Sequence, residues 1–178
     1  HEAMENGSIT KEIRVSIGNS KLGKTANFNL LPVITCATCA RKSCAIDGCY
    51  AVKNVLCHGY DWHTNNCLKA WGINTVMMYF YPEIGEIQLR AWLDKNASKI
   101  EFFRIHSSGD FFNSKYCAMW YRIIKEYANV QFLAFTKQFD VVRKYDFTKL
   151  ENMSLRLSGW TNVIIPNDLI EKGYKCSF

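Results

Sequence analysis

The order of apolar segments in the second half of the chain restricts the fold more than any other sequence feature. Residues 100–106, 130–136 and 153–157 are short apolar runs rich in β-branched and aromatic side chains, and each predicts a strand. Between them, apolar positions at helical spacing predict one helix ending near Tyr127 and a short one over 140–145. Strands that alternate with helices indicate an α/β fold with a parallel sheet and right-handed crossovers.

The rest of the chain fits a single α/β domain over residues 1–178. Of these residues 48% are apolar, which is enough for a buried core. Residues 13–17 predict a further strand, and residues 49–57, 62–81 and 86–97 predict helices. Residues 21–35 predict a loop or irregular extended chain. The four strands counted are too few for a barrel, so we expect an open sheet or a chain truncated at its C-terminus.

The N-terminus and the charge bear on location and partners. Residues 1–3 precede Met4 and have the character of an expression remnant. No signal peptide and no apolar run of membrane-spanning length is found, so we expect a cytoplasmic protein with no membrane partner. The formal net charge of +6 mildly favours an anionic partner such as nucleic acid or phosphate.

Four clustered cysteines predict a metal-binding loop over residues 36–49. Cys36, Cys39, Cys44 and Cys49 are separated by two, four and four residues, and four thiolates complete a tetrahedral site. Clustered thiols in a chain without a signal peptide are more often metal ligands than disulfides. The metal is therefore zinc or an iron–sulfur cluster.

The zinc alternative has a functional consequence. The spacing matches that of a zinc knuckle with Cys44 in place of the usual histidine, and such modules bind single-stranded nucleic acid. In that case the metal is structural, the protein has no catalytic activity, and basic side chains would contact phosphates. These side chains are Lys21, Lys24, Arg41, Lys42 and Lys53.

Polar residues follow three of the predicted strands. Ligands bind at the carboxyl ends of strands in parallel sheets, so these residues are candidates for binding a small molecule. They are Ser107, Ser108, Gly109, Asp110, Thr136, Lys137 and Arg156. Lys137 and Arg156 are suited to a carboxylate or phosphate. His106 and Asp110 are the candidate catalytic residues, with His106 as a possible base for a neighbouring serine.

Two of these segments resemble radical-SAM proteins. Cys44 and Cys49-Tyr50-Ala51 are similar to the end of their cluster loop, and residues 107–110 resemble the Gly-Gly-Glu element that holds the methionyl amine. The resemblance implies a partial barrel, a [4Fe–4S] cluster with one iron open to a ligand, and S-adenosylmethionine as a cofactor. Whether the protein is such an enzyme stays open.

A larger set of segments resembles the phage gene product 88 family. The resemblance covers roughly residues 18–160 and implies a phage or bacterial origin, but no particular activity. It is carried by residues 18–24, Thr35-Cys36, Cys49-Tyr50-Ala51, residues 104–112 and Phe135-Thr136-Lys137.

Overall fold

A computed structural model describes residues 1–8, 10–19, 23–36, 48–57, 64–160 and 163–177. Its strands are β1 (Val15–Asn19), β2 (Gly23–Phe28), β3 (Phe102–Ile105), β4 (Gln131–Thr136), β5 (Met153–Ser158) and β6 (Lys175–Ser177). Its helices are α1 (Glu2–Glu5), α2 (Tyr50–Cys57), α3 (Asn66–Phe80), α4 (Pro82–Asn96), α5 (Ser114–Glu126), α6 (Phe139–Val142) and α7 (Asn167–Glu171). Short 3₁₀ turns cover Ala97–Lys99 and Phe147–Lys149.

The described strands form a six-stranded sheet whose spatial order follows the chain, from β1 to β6. The pair β1–β2 is antiparallel, and each later neighbouring pair is parallel. The predicted α/β class with a mostly parallel sheet is therefore confirmed. Since the parallel strands are added in one direction, right-handed crossovers place their connecting helices on the same face of the sheet.

Two strands were missed by the sequence reasoning. The prediction of a loop or irregular extended chain over residues 21–35 is wrong for residues 23–28, which form the regular strand β2 between β1 and β3. Its sequence, Gly-Lys-Thr-Ala-Asn-Phe, has little apolar character, so pairing with two neighbours fixes it as a strand. The three-residue strand β6 was also not predicted and pairs with β5 at the edge of the sheet.

The helix predicted over residues 62–81 is shorter in the structure. It begins at Asn66 because the Asn65 side chain caps it, accepting a hydrogen bond of 2.9 Å from the backbone N–H of Leu68. The part of the prediction at residues 62–63 lies outside the described residues. Its end agrees with the prediction, because the next helix starts at Pro82.

The core lies between the helices and one face of the sheet, here called the packed face. Alternate strand residues such as Phe103, Ile105, Phe132 and Leu157 are buried on this face. Trp120 of α5 is fully buried and packs within ring-contact distance of Phe103. This contact fixes α5 against the strands whose ends form the candidate site.

The opposite face of the sheet, here called the open face, is only partly buried. Arg104 and Leu133 are direct partners on this face, and Phe135 and Arg156 are direct partners nearer the carboxyl ends. This alternation of buried and half-buried residues is unusual for parallel strands, which are commonly covered on both faces. No helix in the described ranges has the length and apolar character needed to cross a membrane.

Candidate functional site

A cavity of about 240 Å³ lies at the carboxyl edge of the parallel strands. Its walls include Pro32 and Val33, the two described cysteines of the predicted loop, the start of α2, and the ends of β3, β4 and β5. Cys36, Cys49, Ser107, Ser108, Gly109, Asp110, Thr136 and Lys137 all line it, as do Arg104, His106 and Ser158. The structure thus brings the predicted binding residues together, with the exception of Arg156, which is paired with Phe135 on the open face and is not among the residues that line the cavity.

One wall of the cavity is the turn Ser107–Asp110, here called the turn wall. The side chain of Asn29 holds its start, with Oδ1 accepting hydrogen bonds from the backbone N–H groups of Ser107 (2.6 Å) and Ser108 (3.2 Å). The Ser107 hydroxyl donates to Asn27 Oδ1 at 3.0 Å, and the Ser108 hydroxyl donates to the carbonyl of Leu30 at 2.9 Å. Both serine hydroxyls are therefore engaged by β2 and the segment after it rather than by His106.

Gly109 allows this turn to lie against the segment after β2. Its φ is +88°, a conformation that side chains with a Cβ atom rarely adopt. A Cβ at this position would lie 2.7 Å from both Leu30 Cβ and Thr35 Oγ1. Residue 109 must therefore be glycine for both conformational and steric reasons.

Asp110 joins the ends of β3 and β4. One carboxylate oxygen accepts hydrogen bonds from the Thr136 hydroxyl (2.6 Å) and the Phe111 N–H (2.8 Å), and the other accepts from the Lys137 N–H (2.9 Å). Burial raises the pKa of Asp110, while these three hydrogen bonds act in the opposite direction. This geometry suits a positioning role for the carboxylate.

His106 lies beneath the turn wall and is almost completely buried. Its Nε2 is 2.8 Å from the Tyr116 hydroxyl of α5, and its ring stacks on the Tyr116 ring. Burial lowers the pKa of His106 to about 3, so the imidazole is neutral at physiological pH. His106 also has a left-handed backbone conformation, with φ of +64°. A catalytic role for His106 or Asp110 stays a prediction, and their contacts favour positioning.

A second wall consists of Arg104 and Lys137 and is called the basic wall. The Arg104 guanidinium lies over the Phe135 ring, 5.5 Å from its centroid, and its Nε is buried with no hydrogen-bond partner among the residues that the structure describes. The Lys137 ammonium donates to the Ser158 hydroxyl at 3.0 Å and lies 5.6 Å from the centroid of the Trp160 ring. These cations give the cavity a positive side.

The family of the chain is established by comparison with known proteins. The family model described as "Gene product 88" matches residues 4–177. The chain belongs to the gene product 88 family. This confirms the resemblance drawn from the sequence motifs.

Two curated members of the gene product 88 family are similar to part of the chain. A Gene 88 protein of Mycobacterium phage D29 is 38% identical over 85 residues, which are 47% of this chain and 35% of the relative. A Gene 88 protein of Mycobacterium phage L5 is 33% identical over 79 residues, which are 44% of this chain and 33% of the relative. The aligned region thus spans about a third of each relative. No solved structure matches the chain.

The predicted cysteine cluster of this gene product 88 family member is described only in part. Cys36 and Cys49, at the two ends of the loop, both line the cavity, whereas Cys39 and Cys44 lie outside the described residues. Within the described ranges, no three His, Cys, Asp or Glu side chains form a group suited to a metal ion. Metal binding by the four cysteines therefore stays a prediction.

Of the basic side chains that the nucleic-acid hypothesis names, the structure describes only some. Lys24 and Lys53 are exposed, and Lys21, Arg41 and Lys42 lie outside the described residues. The zinc-knuckle hypothesis therefore stays a prediction.

Several residues that shape the site were missed by the sequence reasoning. Asn74 Nδ2 donates to the carbonyl of Asn29 (2.9 Å), and the Thr75 hydroxyl accepts from the Leu31 N–H (2.8 Å). The signal in the sequence was a polar Asn-Thr pair inside an otherwise apolar helix, where a buried polar side chain requires a partner. Arg104 was missed because a lone arginine within a strand has an ordinary explanation as surface charge.

Proposed function

We propose that the protein holds a cysteine-ligated iron–sulfur centre at the carboxyl edge of its sheet and binds a small molecule in the adjoining cavity. The observation that carries this proposal is that Cys36 and Cys49 line the same cavity as the ends of β3, β4 and β5. The two ends of the predicted metal loop thus meet the predicted ligand-binding residues, although more than fifty residues of sequence separate Cys49 from Ser107.

The chemistry of the donors fits such a group. Thiolates prefer soft or borderline metals, so Cys36 and Cys49 suit iron–sulfur or zinc ligation, with Cys39 and Cys44 as the expected remaining ligands. An iron–sulfur cluster supplies one-electron chemistry when bound. The chain's own residues would bind and orient the small molecule: Asp110 holds the ends of β3 and β4 in register, and Arg104 and Lys137 supply positive charge.

We also infer that the sheet is part of a radical-SAM-like partial barrel. The sequential order of the five parallel strands supports this inference, because consecutive strands are neighbours in (β/α) barrels. A cavity at the carboxyl ends of the strands is the usual ligand position in that architecture. S-adenosylmethionine is accordingly the first small molecule to test.

Purification without oxygen tests the metal centre. The wild-type chain would be compared with Cys36→Ser, Cys49→Ser and Cys67→Ser by iron, sulfide and zinc analysis and by visible absorption. Cys67 is the matched control because its side chain is exposed on α3 and it is not among the residues that line the cavity.

We expect a brown wild-type protein with matching iron and sulfide. The cluster should be lost or strongly reduced in the Cys36 and Cys49 variants and kept in Cys67→Ser. Equal loss in all three variants, or no bound metal in the wild-type protein, would contradict the proposal. One zinc per chain without colour would favour a structural zinc site, and binding to single-stranded nucleic acid would then be measured at two salt concentrations.

A further inference from the structure

On the open face of the sheet, the described strands carry basic side chains and no acidic ones. Arg156 of β5 pairs directly with Lys175 of β6, and Arg104 of β3 shares their face because alternate strand residues point the same way. None of the six described strands contains Asp or Glu. Like charges directly opposite one another destabilise a sheet, so a bound anion would relieve this repulsion.

Arg104 is the basic residue with the clearest need for a ligand. It is half-buried at the cavity, and its Nε is buried without a partner. Across the described ranges, no hydrogen bond or ion pair joins its guanidinium to another side chain or to the backbone. The guanidinium makes a cation–π contact with the Phe135 ring. A guanidinium restrained against an aromatic ring presents its remaining N–H donors in a planar fork that matches an oxyanion.

The other charged groups of the cavity do not satisfy Arg104. Asp110 is the acidic residue among the described lining residues, and its carboxylate accepts three hydrogen bonds, none of them from Arg104. Lys137 adds a second positive charge to the same cavity. Within the described ranges its ammonium makes one hydrogen bond, to Ser158, and an ammonium has three donors.

We propose that the cavity binds its small molecule through a carboxylate or phosphate group held by Arg104 and Lys137. This inference rests on the proposed function for the presence of a small molecule beside the cysteines, and it adds the chemical class of that molecule. On the basic wall, Arg104 of β3 supplies a charged, directional contact. Lys137 supplies a second charge from the end of β4, and Arg156 adds positive potential from the open face.

The test is calorimetric titration of the full chain, purified without oxygen, with succinate and with inorganic phosphate as separate probes. The variants are Arg104→Met, which removes the charge at similar length, and Arg104→Lys, which keeps the charge and removes the planar fork. Arg122→Met is the matched control, because Arg122 pairs with Glu86 on the helical side and does not line the cavity.

We expect at least one probe to bind and Arg104→Met to weaken its binding by about tenfold or more, with Arg104→Lys intermediate and Arg122→Met unchanged. The probe that binds more tightly distinguishes a carboxylate site from a phosphate site. Equal binding by Arg104→Met and Arg122→Met would overturn the proposal. The proposal would also be overturned if neither succinate nor phosphate bound to the wild-type protein.

Metal analysis of the same samples separates this inference from the proposed function. Anion binding that depends on Arg104 in a protein without iron or zinc would support the inference and contradict the metal centre. A protein with its full metal content but without anion binding would support the metal centre and overturn the inference. The unfolding free energy of Arg104→Met, measured in parallel, confirms that a change in binding is not a loss of fold.

Discussion

The turn wall and the basic wall border the same cavity but differ in how their polar groups are satisfied. On the turn wall, Ser107 and Ser108 donate to protein oxygens and Asp110 accepts three hydrogen bonds. On the basic wall, Arg104 has a buried Nε that finds no hydrogen-bond partner in the described part of the chain. Polar groups that are bonded within the protein build the site, whereas a polar group left without a partner remains available to a ligand.

The difference has a physical origin in the backbone. The turn wall consists of main-chain groups that leave the sheet at the end of β3, so their N–H and C=O groups need new partners. The segment after β2 supplies these partners, because Asn29 Oδ1 accepts from the Ser107 N–H and the Leu30 N–H donates to the Ser108 carbonyl. Arg104 lies within β3, where the backbone is satisfied by the sheet and the side chain is free to serve another purpose. Changes to the turn wall should therefore reduce stability more than changes to Arg104.

The largest effect is expected for Gly109→Ala. The new Cβ would strain a backbone with φ of +88° and collide with Leu30 and Thr35, so we expect a loss of about 2–5 kcal/mol in unfolding free energy. Urea denaturation measures this loss. Gly173→Ala is the control, because Gly173 has φ of +98° but no atom within 4 Å of an added Cβ, and it should lose only about 1–2 kcal/mol.

Equal losses in the two alanine variants would mean that the turn wall is not packed against the segment after β2. Contacts with that segment would then not stabilise the turn wall, and the two walls would not differ as described.

The second effect is a pH dependence of the unfolding free energy, which comes from His106. Its pKa is about 3 in the folded protein and about 6.5 when unfolded, so the unfolded chain takes up a proton that the folded chain does not. Stability from this residue is fully present above about pH 6.5 and falls by about 1.4 kcal/mol per pH unit as the pH drops towards 3. At about pH 5 the loss should be about 2 kcal/mol.

Asp110, whose pKa is raised, also contributes to the pH dependence of stability, but it is present in both the wild-type protein and His106→Asn. The difference in pH slope between these two proteins therefore isolates the contribution of His106. Asparagine tolerates the left-handed backbone at residue 106 but does not titrate. Urea denaturation between about pH 7 and pH 5 should give a smaller pH slope for His106→Asn, while Tyr116→Phe keeps the wild-type slope. An unchanged slope in His106→Asn would show that the imidazole is not buried in its neutral form.

The third effect is expected for Asp110→Asn. The amide group cannot accept all three hydrogen bonds and leaves a buried donor without a partner, so we expect a loss of about 1–3 kcal/mol. Asp140→Asn is the control, because its carboxylate is 94% exposed beside Arg143 and its loss should be below about 1 kcal/mol. Denaturant unfolding would contradict this prediction if both variants lost the same amount.

The smallest effect on stability is expected for Arg104→Met. The variant removes a buried polar atom without a partner and also removes the contact with Phe135, so the two contributions oppose each other. We expect a net change below about 1 kcal/mol in either direction by urea denaturation. A loss as large as that of Gly109→Ala would show that Arg104 supports the fold, and the two walls would then not differ as described.

The strands β3, β4 and β5 were predictable because each is an apolar run bounded by turn residues. β2 was not predictable, since Lys24, Thr25 and Asn27 give it a polar sequence and its stability comes from pairing with β1 and β3. The rule for parallel sheets predicts that the strand ends converge, so the shared location of Ser107 to Asp110 and Thr136–Lys137 at one cavity could be predicted, while their role in binding stays a prediction. Asn29 and Asn74 were missed because their roles depend on contacts across 45 or more residues.

The sequence by itself determined the α/β class, the family and the set of polar residues at the strand ends. These properties depend on local patterns, such as apolar periodicity and short motifs, that can be recognised within a single segment. Only the tertiary structure decided that Cys36 and Cys49 lie in one cavity with the strand ends and that His106 is bound to Tyr116. It also decided that Arg104 Nε is buried without a hydrogen-bond partner among the described residues. Such properties depend on which distant groups meet and which do not, because a hydrogen bond forms or fails according to three-dimensional distance rather than sequence separation.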